Sequence, residues 1–170
     1  LHTLLNLGWA SPDIAPSARD LADFQRLPVP YIRKLLTQLE KSGLITGAEG
    51  FRGGWALARE PGKISVLNIV NALKGDDKLF DCREIRAHCA IWEDDQAPQS
   101  AISGVCAINA VMQSAEAAMK RELAKHTLAD LADRVSQKKS GNDNQSIIQS
   151  WFEGRFDDRK SGKNTGEKDD

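Results

Sequence analysis

The residues of this chain best suited to chemistry are its three cysteines, Cys82, Cys89 and Cys106, in a sequence of 170 residues. An odd number of thiols cannot all close as disulfides within one chain, and three thiolates fall one short of a tetrahedral metal site. Thiolates joined by an imidazole would suit either zinc or an iron–sulfur cluster. Six residues separate Cys82 from Cys89 and sixteen separate Cys89 from Cys106, which is no metal motif by itself, so buried or idle thiols are the bland alternative. His88 could ligate beside Cys89 or be a solvated loop residue, and His126, at a helix joint, reads as structural. Glu93, Asp94 and Asp95 form an acidic loop suited to solvation, while Trp9 and Trp92 could shield a cluster or simply pack. No nucleophile has a base at useful spacing, no phosphate-cradling glycine loop carries its lysine, and no carboxylate pair shares a face, which argues against an enzyme.

Those residues need elements to position them. In "LHTLLNLGWA", Leu1, Leu4 and Leu5 share one side of a helix, and His2, Asn6 and Trp9 share another. After the proline-broken "SPDIAPS", Ser17 caps a short second helix and Asp20 faces its dipole. "RLPVP" is a tight turn, and "YIRKLLTQLEKSG" follows with Ile32, Leu35, Leu36 and Leu39 on one face and Arg33, Lys34, Thr37 and Gln38 on the other. The glycine-studded "LITGAEGFRGGWALARE" predicts a two-stranded hairpin, and "SVLNIVNALKG" a fourth helix between Ser65 and Gly75. A long apolar stripe (Ile102, Val105, Ile108, Met112, Ala115, Met119 and Leu123) then predicts a helix over about 103–125 that wants a partner. If Ser103 caps that helix, Cys106 lies in its first turn, where the dipole favours a thiolate. Thr127 and Asp130 restart a helix, "SQKKSGNDNQS" reads as a linker, "IIQSWFEGRF" as a short docking helix, and residues 157–170 as a disordered tail.

The fold class expected is therefore mainly α with a small β-hairpin wing: a winged helix-turn-helix plus a long dimerisation helix. Its parts are a DNA-binding domain over 1–75, a cysteine-containing cluster loop over 76–106, a dimerisation region over 103–136, and a linker, short helix and tail over 137–170. Between Pro28 and Arg59 stand five basic residues (Arg33, Lys34, Lys41, Arg52 and Arg59) against two acidic ones (Glu40 and Glu49). That excess lies where phosphates and base edges would be met, although a solvated helix face would look the same. The formal net charge of -1 decides nothing about partners, because an even total can hide a basic face. No apolar run approaches the roughly 18 residues of a membrane span, and no secretory leader is visible, so a cytoplasmic, reducing location without a membrane is expected.

In "ARDLADFQRLPVPYIRKLLTQLEKSGLI", "RGGWALARE", "ISVLNIVNALKG" with a cysteine soon after, and "TLADL", the chain resembles the IscR/NsrR/RirA family of winged-helix transcription regulators, also called the Rrf-two family, over residues 1–135. The resemblance implies a homodimer joined through the long helix, a palindromic double-stranded DNA operator, and in many members an iron–sulfur cluster. Candidate DNA-binding residues are Pro30, Tyr31, Arg33, Lys34, Thr37, Gln38 and, at the wing tip, Arg52. The usual fourth ligand, a His three residues after the last cysteine, is replaced by Asn109, and Glu49 stands where many members carry an Arg. Some relatives take a His from the first helix of the partner subunit, and His2 stands in that place. The chain looks most like this redox-sensing branch, which shares the "CxEIR" start of the cysteine loop. The implied metal ligands are Cys89, Cys106, Cys82 and His2, and the implied cofactor is a [2Fe–2S] cluster. A zinc-bound or thiol-based regulator with the same head, or a small iron–sulfur electron-transfer protein, are the rival readings.

Overall fold

The computed structural model describes residues 1–11, 13–48, 53–75, 80, 84–92, 97–137 and 141–161, with backbone alone for 141–143 where a helix begins. The chain divides into two compact units, Leu1–Gly75 with Ala124–Asp170, and Asp76–Leu123. The fold is mainly α with a two-stranded antiparallel hairpin, as expected from the sequence.

In the first unit, helices α1 (His2–Trp9), α2 (Ala18–Gln25) and α3 (Val29–Lys41) precede the hairpin of β1 (Ile45–Ala48) and β2 (Gly54–Leu57). Helix α2 opens with the capping box read from its sequence: Ser17 accepts from the Asp20 amide while Asp20 accepts from the Ser17 amide. It stops where Arg26 turns left-handed at φ 52°, and Pro28 then caps α3 with Pro30 in its first turn. Gly43, with φ 63°, follows the end of α3 and turns the chain into β1. The strands pair Ile45 with Leu57 and Ala48 with Gly54. Helix α4 (Val66–Lys74) carries a second capping box at Ser65 and ends at Gly75 with φ 70°.

One apolar core holds this unit together. Leu4, Leu21, Ile32 and Leu36 are fully buried in it, with Leu44, Ile64, Leu128 and Phe152 at 2% exposure or less. Leu128 belongs to α7 (Leu128–Ser136), whose predicted capping box of Thr127 and Asp130 is formed. Phe152 belongs to α8 (Gly141–Lys160), a helix of 20 residues rather than the short one expected. Residues 157–160, expected in a disordered tail, complete it: Arg159 bonds Asp20, and Lys160 lies over the Phe156 ring. The two-sided reading of α1 also needs correcting. Residues 3–7 are all buried, Asn6 included, because α1 is packed by β2, α7 and α8 at once, while His2 is exposed.

The second unit contains a 3-10 turn (Ile85–His88), the short α5 (Gln99–Ile102) and α6 (Ala107–Ala124). Ser103 does not cap the long helix. It closes α5, donating its amide to the Gln99 carbonyl, and α6 starts only after Cys106.

Candidate nucleic-acid interface and thiol site

Helix α3 buries Ile32, Leu36 and Leu39 and turns the opposite face outward. Arg33, Lys34 and Thr37 are exposed on that face, with Gln38 half-buried beside them. Neither Arg33 nor Lys34 makes an ion pair among the described residues, so both cations remain available to an anionic partner. The Thr37 hydroxyl donates back to the Arg33 carbonyl at 3.0 Å, which leaves its oxygen facing outward as an acceptor beside its methyl group. At the head of the helix, Pro30 is exposed and Tyr31 is 50% exposed. The left-handed turn at Arg26 sets α2 and α3 against each other, and the hairpin follows α3 directly, so the helices and paired strands expected of a reading head are present among the described residues. Arg52 and Glu49 lie outside the described residues.

The thiol site is built by Arg86, which sequence reasoning passed over. Its guanidinium grips Glu84 with two bonds of 2.6 and 3.0 Å, then reaches the carbonyls of Gly104 at 3.1 Å and Ile102 at 3.4 Å. One planar fork thus ties the segment before Cys89 to the segment before Cys106. Its own carbonyl accepts from the Trp92 indole at 2.9 Å, so Trp92 pins the loop. The sequence signal for it was its place at the end of the "CxEIR" stretch, three residues before Cys89. Cys89 is half-buried, with its sulfur 3.4 Å from the Ile85 carbonyl.

Cys106, also half-buried, stands immediately before α6, and its carbonyl accepts the Ala110 amide at 2.9 Å. The helix-end environment expected for it is present, one step outside the first turn. Amide N–H groups of Asn109 and then Ile108 point at its sulfur and hold the thiol below the ordinary range; burial opposes them, the Arg86 charge assists and the Glu84 charge resists. The sulfur therefore takes the place a serine or aspartate oxygen usually takes at a helix start. A ligating sulfur is deprotonated, so Cys106 fits a soft metal or cluster on its donor chemistry.

Cys82 and the acidic loop of Glu93, Asp94 and Asp95 lie outside the described residues, and His2 belongs to the first unit. Among the described residues no three potential metal ligands come together. His88 is exposed, and His126 is structural: its carbonyl accepts the Val66 amide at 2.8 Å and its ring meets Arg134. On α6 no residue is buried, and Ile108 and Val111 are 76% and 67% exposed. No helix among the described residues is long and apolar enough to cross a membrane.

Comparison with known proteins supplies the identity that geometry leaves open. Protein rrf2 of Nitratidesulfovibrio vulgaris is 31% identical over 128 residues, covering 75% of this chain and 78% of that protein. The regulator NsrR of Shouchella clausii is 27% identical over 131 residues, 77% of this chain and 81% of its own. Among solved structures, IscR of T. potens aligns with a TM-score of 0.56 at 26% identity, covering 78% of this chain and 79% of that one. CymR, the global cysteine regulator of B. subtilis, aligns at 0.58 with 22% identity over 78% of this chain and 90% of its own, a likeness of fold. Residues 1–134 match the Rrf2 family, described as an iron-dependent transcriptional regulator. A match of that extent, on a chain that folds with an exposed basic helix beside a wing, means that this protein belongs to the Rrf2 family of DNA-binding transcriptional regulators.

Proposed function

We propose that the protein acts in the cytoplasm as a homodimer on a palindromic DNA operator, and that an iron–sulfur cluster of the [2Fe–2S] type sets its affinity. In this reading residues 1–75 are the DNA-binding domain. Arg33, Lys34, Thr37 and Gln38 read the major groove, Pro30 and Tyr31 meet the backbone at the helix entry, and Arg52 reaches the minor groove or its phosphates. Cys89 and Cys106 hold the cluster, with Cys82 and His2 of the partner subunit as the further candidates. When bound, such a cluster supplies a redox change and iron that can be lost.

The observation that carries the reading is the Arg86 fork, which ties the segment before Cys89 to the segment before Cys106, whose thiol the Asn109 and Ile108 amides hold below its ordinary range. The fork keeps the two segments in one arrangement, so neither thiol is left on a free strand. The exposed Ile108 and Val111 support a second copy packed along α6, and two half-sites of a palindrome require a two-fold partner. Iron, zinc and acid-labile sulfide measured on anaerobically purified protein, together with its visible absorption, test the proposal. Iron and sulfide in equal amounts with the charge-transfer bands of a [2Fe–2S] group are expected.

One observation favours a second reading. A thiol held below its ordinary range is also the form that attacks oxidants, so Cys106 suits a regulator that switches by thiol oxidation. Protein free of iron and sulfide that still changes its DNA affinity on mild oxidation would select this reading, and stoichiometric zinc its metal-bound variant.

A further inference from the structure

The family match ends at residue 134, but α8 beyond it grips the reading head. Trp151 meets the Phe24 ring of α2 edge-on and Phe152 packs tilted against it, at ring separations of 5.1 and 5.2 Å. Arg155 pairs with Asp20 and Asp23. Arg159 does more: one terminal nitrogen donates to the buried Asp20 carboxylate at 2.6 Å, and the other donates to the Ala15 carbonyl at 2.9 Å.

The Ala15 carbonyl is also where the wing rests. A Cβ added at Gly54 would lie 2.1 Å from that oxygen, so only glycine lets the first residue of β2 approach it. The next carbonyl, Pro16, accepts the Trp55 amide at 2.9 Å. From α8 to the wing there is thus one short path: Arg159 to the Ala15 carbonyl, and the 15–16 backbone to Gly54 and Trp55. The Arg159 Nε is buried without a hydrogen-bond partner, so the guanidinium is oriented by its two terminal contacts. A planar fork can serve a carboxylate and a carbonyl together, which a single ammonium does poorly.

We propose that Arg159, anchored on Asp20, is a positioning residue for DNA binding, and that α8 sets the stance of the wing beside α3 through the Arg159 bond to the Ala15 carbonyl. The proposal rests on the reading that the wing engages DNA.

The test uses the full chain and a duplex selected from random sequence by the wild-type protein. Arg159→Met removes both donors and keeps an apolar stem beside Phe156. Arg155→Met is the matched control, since it loosens the same helix without touching Ala15. In Arg159→Met the Trp55 amide should exchange about tenfold faster while Leu36 and Leu39 keep their rates. Affinity for the duplex should fall about 5–10-fold, with the log–log salt slope shallower by about one phosphate contact. Arg155→Met should leave Trp55 exchange unchanged. If Arg159→Met unfolds the chain, Arg159→Lys serves instead, keeping the charge at Asp20 while losing the bond to Ala15, and the same changes are expected. Unaltered Trp55 exchange overturns the proposal, as does faster exchange with undiminished affinity, or equal losses in both methionine variants. A wild-type chain that selects no duplex fails the DNA reading itself, before any variant is made.

Discussion

Replacing Gly54 by alanine tests the packing of the wing most directly. The new Cβ would meet the Ala15 carbonyl oxygen at 2.1 Å, its carbon at 2.5 Å and the Pro16 oxygen at 2.8 Å, where ordinary contact begins near 3.4 Å. All three atoms are backbone, so no rotamer change relieves the overlap and strand and loop must part by about an ångström. Overpacking of this kind costs about 1–3 kcal/mol. Separation also lengthens the 2.9 Å bond from the Trp55 amide to the Pro16 carbonyl, which contributes about 0.5–1.5 kcal/mol. Against this, alanine restricts the unfolded chain and returns about 0.4–1 kcal/mol. The net loss is about 0.5–4 kcal/mol, or a fall in Tm of roughly 1–16 °C for a chain of this size. Thermal melting followed by circular dichroism measures it, with Gly62→Ala as control because nothing lies within 4 Å of a Cβ there. Two variants melting together near the wild-type temperature would refute the close approach of wing and loop.

Arg33→Ala should weaken operator binding by about 1–3 kcal/mol and relax base preference at one position, whereas Lys34→Ala should weaken all sequences alike; filter binding against a mismatch panel separates them. In reduced, metal-free protein, Cys106 should alkylate with a midpoint below the ordinary thiol value of about 8.5, and a midpoint at or above it would contradict the amide contacts to its sulfur. Ile108→Asp should shift a micromolar dimer toward monomer in sedimentation, since this side chain is 76% exposed in the single chain. The Asp130 carboxyl is held low by the Thr127 amide first and then by its side chain. A depressed folded value means its stabilisation is full above the ordinary carboxylate range and fades as pH falls through the depressed one, so Asp130→Ala should melt below wild type at neutral pH and converge with it in acid.

What the sequence made legible was local. The capping boxes at Ser17 and Thr127 each reside within four consecutive residues and formed as read, and at Ser65, where the fourth helix was expected to start, Asn68 completes a third. The face of α3 was equally plain, because its apolar positions keep helical spacing against a single core. Tertiary context misled the reading elsewhere. Helix α1 shows a two-sided pattern, yet three elements bury Asn6 along with the leucines. Helix α8 begins among glycine and asparagine residues of weak helix propensity and ends in charge, but Arg155 and Arg159 find Asp20 some 135 and 139 positions away. Asp20 was recognised as a cap, and its second role depended on partners no local pattern reveals. Cys106 was expected within the first turn of α6 and instead precedes it, because Gly104, with φ 71°, turns the chain after α5 before the long helix can begin.

That displacement bears on how a signal at sulfur would travel. A cysteine inside a helix could change state without altering the helix end, but Cys106 is the helix end, and its sulfur satisfies amides that α6 cannot. Taking electron density from that sulfur weakens the cap at once. Helix α6 is 18 residues long, about 27 Å at 1.5 Å per residue, and stiff over that length. Its far end leads through Lys125 into residues 126–128, which are stitched to 64–66: the Val66 amide bonds His126 and the Leu128 amide bonds Ile64, both at 2.8 Å. Ser65 and Thr127, the caps of α4 and α7, pair in that bridge. Ile64 and Leu128 on either side are buried in the core that seats α3. The bridge between 64–66 and 126–128 therefore ties the caps of α4 and α7 to the core beneath the recognition helix.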